Sequence, residues 1–150
     1  KYVTYLFGKC RVISMRFFRS DEVDIPYEDY KKLYMEGKCK LGITNAEAAS
    51  ISRTKGALPK GSGIRFAFAF YNFIAFGCMG YSIYLSFTWN WWTFIAGFFI
   101  ASFVFNVNKK SNAENLLNEA HNNKEFYEQI RYLKTVSYQL DEIVAEYYKK

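Results

Sequence analysis

Between Phe66 and Asn108 the chain carries no Asp, Glu, Lys, Arg, His or Pro. Over such a length, a segment with no charge and no proline is expected to be helical and to sit away from water. Within it, Phe66–Phe87 is about 22 residues, roughly 33 Å as a helix, which matches a hydrocarbon core. Its Phe, Ile and Leu residues favour insertion enough to carry one Asn and several tyrosines. A second segment, Trp91–Val107, is about 17 residues and sits at the lower limit for a span. Only Thr88, Trp89 and Asn90 lie between the two, so the helices should be antiparallel neighbours. A buried helical pair in a soluble core would instead need the polar flanks to enclose the whole stretch.

The mean hydropathy of -0.16 averages over two unlike regions. Almost every charge lies in the flanks, and aromatics reach 21%, too many for a disordered basic tail. The expected fold is mainly α, an integral membrane protein in three parts. Residues 1–63 form a small, basic and aromatic-rich polar region with short helices and a linker. Residues 64–108 form a two-helix transmembrane hairpin, and 111–150 a long C-terminal amphipathic helix. At 150 residues no second large domain is expected.

Orientation follows from the flanking charges. Arg53, Lys55, Lys60 and Arg65 precede the first span, Lys109 and Lys110 follow the second, and the turn is uncharged. Both ends are therefore expected on the cytoplasmic or matrix side. All three tryptophans, Trp89, Trp91 and Trp92, fall at the turn, with Tyr81 and Tyr84 one or two turns away. These are the expected interface anchors of the far leaflet, since an apolar ring with a polar N–H or O–H suits that layer. A cation-binding aromatic cage would usually add a carboxylate, and none is nearby.

Helix packing should use small residues. Thr93, Gly97 and Ala101 recur at i, i+4, i+8, while Ala69, Phe73, Gly77, Gly80 and Tyr84 share one face of the first span. Asn72 is expected to hydrogen-bond between helices. With no Asp, Glu, Lys, Arg or His in either span, the usual groups of a proton relay or coupling site are missing there.

In the flanks, Asp24-Ile25-Pro26 should open a helix, with Asp24 near its cap and Pro26 in its first turn. Tyr27, Tyr30, Leu33 and Tyr34 follow at helical spacing, and Gly37 ends it. Thr44-Asn45-Ala46-Glu47 fits a capping box, as does Ser111-Asn112-Ala113-Glu114. Residues 1–18 could form a strand hairpin around Gly8-Lys9. From Phe126, the residues Ile130, Leu133, Ser137, Leu140, Val144 and Tyr147 step by alternating fours and threes, a heptad seam expected to bind a partner, with a break near His121-Asn122-Asn123.

Chemistry is harder to assemble. Cys10, Cys39 and Cys78 form no CxxC pair, and His121 is the one histidine, so neither zinc nor another metal is expected. Cys10 could pair with Cys39, but reduced buried thiols are the simpler expectation. Gly56–Gly63 fails as a phosphate loop because Ser62 directly follows Gly61, with no lysine between. The mixed signs of Lys124, Glu125, Glu128, Arg131 and Lys134 describe a solvated face and argue against nucleic acid. No catalytic set or cofactor fingerprint emerges.

The expected role is therefore non-catalytic, with no cofactor: an accessory subunit of a multi-subunit inner-membrane complex. Its partners would be other membrane subunits, with anionic lipids at the basic flanks. Lys1–Ser20, with five basic residues and no acid, resembles an organellar presequence in composition. That and a first residue of Lys1 rather than Met favour mitochondria and a complex of respiratory-chain type. The alternatives are a bacterial two-span effector forming a pore in the cytoplasmic membrane, or a membrane-anchored adaptor using the heptad seam.

Overall fold

The computed structural model describes residues 15–149. Among these the chain is mainly helical. Its order is β1 (Met15–Arg19), α1 (Tyr27–Met35), β2 (Cys39–Gly42), α2 (Asn45–Arg53), α3 (Ile64–Thr88), α4 (Trp92–Asn122), α5 (Lys124–Tyr132), β3 (Ser137–Asp141) and α6 (Glu142–Tyr147). The proposed strand hairpin within 1–18 and any pairing of Cys10 lie largely outside the described residues; Met15–Arg19 is a strand, but its partner is β3.

The polar flanks fold together. β3 lies between β1 and β2 in an antiparallel sheet, so the C-terminal strand joins two strands from the N-terminal flank. Val23, Ile25, Tyr30, Cys39, Leu116, Phe126, Tyr127, Ile130, Tyr138 and Leu140 share one buried core. Buried tyrosines need partners for their hydroxyls. Tyr127 donates to the Ile25 carbonyl at 2.9 Å and lies 3.1 Å from the Tyr138 hydroxyl, while its ring stacks on Tyr30. Arg131–Asp24 and Lys124–Glu28 ion pairs tie α5 to the segment around the start of α1.

Local signals explain several helix ends. Thr44 and Glu47 form a reciprocal capping box at α2, typically worth about 1 kcal/mol. α1 closes in a Schellman motif: Lys38 N–H donates to the Leu33 carbonyl and Gly37 N–H to Tyr34. Gly37 takes φ +70°, a conformation glycine adopts without penalty. Pro26 occupies the N-cap of α1 itself, and Asp24 pairs with Arg131 in place of a capping role.

The expected long C-terminal helix does not form. α4 passes straight through Ser111–Glu114 and ends at Asn122, so that capping pattern starts nothing. Asn123 then caps α5 by accepting from Phe126 N–H at 3.2 Å. At Lys134 the backbone turns with φ +54°, and β3 follows. The apparent seam combines two periods: Phe126 and Ile130 lie on a helix, whereas Val136, Tyr138 and Leu140 alternate inward along and just before a strand. Ile130 and Leu140 are buried, Val144 is half-buried, and Leu133 and Tyr147 are exposed.

α3 and α4 follow one another across the short connection 89–91, and the first half of α4 packs against α3 in antiparallel sense, with Ser82 beside Gly97 and Phe68 beside Asn108. α4 belongs to both regions. Its first half runs beside α3, and its second half supplies Ala113, Leu116 and Ala120 to the polar core. A single helix of 31 residues makes one rod of roughly 46 Å.

Candidate functional site

The distinctive region is the α3–α4 pair. α3 is the one helix among the described residues long and apolar enough to cross a membrane by length and composition. The uncharged part of α4 is shorter. α3 nevertheless keeps only Phe68, Ala75 and Ser82 buried, at seven-residue spacing. Facing them, α4 buries Gly97, Ala101 and Asn108. The spacing is that of a left-handed helical seam built on small residues.

Two contacts fix its register. A Cβ on Gly97 would collide with the Ser82 side chain, so glycine is what permits the close approach. At the other end, Asn108 Nδ2 donates to the Phe68 carbonyl at 3.0 Å and to Asn72 Oδ1 at 3.2 Å. Between these points Phe76 and Phe105 meet edge to face. Of the residues singled out for packing, Gly97 and Ala101 are buried against α3, Thr93 is half-buried and donates to the Asn90 carbonyl at 2.7 Å, and Asn72 meets Asn108. Ala69, Phe73, Gly77, Gly80 and Tyr84 are exposed, on a face of α3 turned away from α4. Gly77 and Gly80 have open space where a side chain would be. The seam runs instead through Ser82 and Asn108, whose polarity hid them. The signal for Asn108 was an isolated amide at the end of an apolar run.

Apart from the buried Phe68, most of the large aromatics point outward. Phe73 is 75% exposed and Phe87 87%. Trp89, Trp91, Trp92, Tyr81 and Tyr84 are exposed at the turn and just before it, with the Trp91 and Trp92 rings stacked at 4.2 Å.

At the opposite end lies a collar of cations. No Asp or Glu occurs between Glu47 and Glu114, whereas Arg53, Lys55, Lys60, Arg65, Lys109 and Lys110 all fall there. Those six account for the whole net charge of +6, and the rest of the chain balances. α2 is held against α4 by a Ser52–Asn112 hydrogen bond of 2.9 Å, and Arg65 reaches the Arg53 carbonyl at 3.4 Å. These contacts gather Arg53, Arg65, Lys109 and Lys110 around the base of the helix pair. All six side chains are exposed, and among the described residues none makes an ion pair.

The polar unit offers a second cluster, of Tyr30, Tyr127, Tyr138, Cys39 and His121. Burial pushes the Cys39 thiol and the Tyr138 hydroxyl each up to about 12, and raises Tyr30 and Tyr127 as well. A thiol held protonated is a poor nucleophile. The Tyr30 hydroxyl lies 3.2 Å from His121 Nδ1, and the imidazole packs 4.2 Å from the Tyr34 ring. Desolvation and then the nearby Lys31 lower the His121 pKa, favouring a neutral ring. This cluster is a packed core. Among the described residues no three His, Cys, Asp or Glu side chains gather to hold a metal ion.

The sequence matches no protein-family model, and comparisons with curated proteins and with solved structures give no match.

Proposed function

We propose that the chain is a membrane-embedded accessory subunit of a larger assembly. Its α3–α4 pair crosses the bilayer as a hairpin, and the polar unit stays on the cytoplasmic or matrix side. The observation that carries the reading is the outward aromatic surface of α3. It is apolar enough to span a membrane, yet only 17% of its most apolar stretch is buried. The core helix of a soluble protein would hide that surface. The cation collar at one end and the tryptophans at the other give the pair a polarity that suits two different interfaces.

An accessory role fits a helix pair whose polar groups are used for packing and whose Gly77–Gly80 face is left open to a neighbouring helix. An organellar inner membrane rests on the basic, acid-free N-terminal stretch alone. A self-assembled pore through the Thr93, Gly97 and Ala101 stripe is less well supported, because Gly97 and Ala101 are used against α3. An adaptor built on a continuous heptad helix is less well supported, since that stretch is divided between α5, β3 and α6.

The test is extraction of native membranes in a mild detergent, followed by sizing and mass spectrometry. Migration at several times the chain's mass together with other membrane polypeptides is expected. Recovery as a lone monomer, or release from the membrane by alkaline carbonate, would sink the proposal.

A further inference from the structure

We infer that the base of the helix pair binds an anionic phospholipid, with an acyl chain in a defined groove and the headgroup phosphate on the cation collar. The inference rests on the transmembrane reading above and assigns a specific lipid site within it. The groove has a volume of about 340 Å³. Tyr71 and Ile74 of α3 and Phe103, Val104 and Val107 of α4 form its apolar walls, and Ser111 stands at the end nearer the polar unit. On α4, Val107, Lys110 and Ser111 are spaced i, i+3, i+4 and so share one face of the helix. The groove therefore leads from lipid-facing aromatics to a hydroxyl and an ammonium within one helical turn.

Charge decides which lipid is bound. Elsewhere in the polar unit many cations are paired, as in Arg131–Asp24 and Lys124–Glu28. At the collar Arg53, Arg65, Lys109 and Lys110 have no carboxylate partner among the described residues, and the sequence supplies no acid from residue 48 to 113. Unpaired cations beside an apolar slot complement a negatively charged headgroup carrying acyl chains. A zwitterionic lipid fits the slot equally well but gains little from the surplus charge.

Native mass spectrometry of the full chain in mild detergent, with equal amounts of phosphatidylglycerol and phosphatidylcholine added, tests the inference. Preferential retention of phosphatidylglycerol is expected, falling roughly fivefold for each charge removed in Lys110→Gln and then Lys109→Gln/Lys110→Gln. Lys40→Gln, an exposed lysine on β2, should change nothing. Val107→Trp, placed at a half-exposed groove wall, should reduce retention of both lipids by filling the slot. Equal retention of the two lipids would overturn the inference, as would retention unchanged in Lys109→Gln/Lys110→Gln or in Val107→Trp. Alkaline carbonate extraction of the source membranes, before any detergent is added, is read separately. Release into the soluble fraction defeats the transmembrane reading itself, whereas retention without lipid preference defeats only the lipid site.

Discussion

The two halves of the molecule are built inside out relative to each other. In the polar unit Tyr30, Tyr127, Tyr138 and Phe126 are buried in the core and charges coat the outside. In the α3–α4 pair most large rings face outward, while Phe68 is buried with the small or polar Ser82, Gly97, Ala101 and Asn108 along the contact. Hydrophobic burial drives the first arrangement. The second gains nothing from hiding phenylalanines if its surroundings are already apolar, and rests on close packing and a few hydrogen bonds. On the proposed reading, a single chain follows the packing rules of two solvents, with α4 passing from one to the other.

The largest effect expected from breaking this contrast is Tyr127→Ala. It removes a fully buried ring and leaves Tyr138 without its hydroxyl partner, a loss of about 3–5 kcal/mol. Limited proteolysis should find the polar unit opened, while alkaline carbonate still leaves the protein in the membrane. Simultaneous loss of membrane retention would show that the two regions are not separable.

Phe73→Arg and Phe17→Arg sharpen the same contrast, because the two phenylalanines are 75% and 70% exposed. On α3 the arginine should oppose insertion by about 2.5–3.5 kcal/mol. On β1 it should change stability by less than about 0.5 kcal/mol. Fractions inserted by microsomal membranes and thermal melts check the pair of values. Equal tolerance at both positions would place α3 in water.

Asn108→Ala should weaken the α3–α4 contact by about 0.6–1.7 kcal/mol, as it removes the bonds to Phe68 and Asn72. Thermal unfolding in detergent reads this loss.

The smallest effect is the pH response of His121. Its folded-state pKa lies below the unfolded value, so the unfolded chain takes up the proton first as pH falls. The stabilisation from keeping the ring neutral is complete above the ordinary histidine value. It is lost as pH drops from there to the folded-state pKa, and is constant below. Melts in detergent from neutral to mildly acidic pH should show a shallow decline that His121→Gln removes.

How far each region could be read from the sequence follows the same divide. The uncharged run located α3 to within a residue or two, because a long stretch without charge or proline has few alternatives to a helix. Thr44–Glu47 was legible because both halves of the cap are local. The failures involve contacts distant in sequence. Ser111–Glu114 carries the same chemistry as a real cap, but Asn112 is committed to Ser52, and nothing nearby signals that. The run from Phe126 to Tyr147 satisfies a heptad by coincidence of a helix and a strand. The alternation of Val136, Tyr138 and Leu140 with Ser137, Gln139 and Asp141 was the available clue to β3. Small residues alone do not mark the face of α3 that meets α4. Gly77 and Gly80 point outward, while Phe68, Ala75 and Ser82 supply the contact and only Asn72 was signalled by its polarity.

The central claim is that the α3–α4 turn lies in a bilayer. All three tryptophans of the chain are at that turn, so intrinsic tryptophan fluorescence reports on it alone. In vesicles, bromine placed on lipid chains close to the headgroup should quench this emission strongly. Bromine near the chain ends should quench it less, and aqueous acrylamide only weakly. Emission insensitive to brominated lipids and quenched freely by acrylamide would contradict the account.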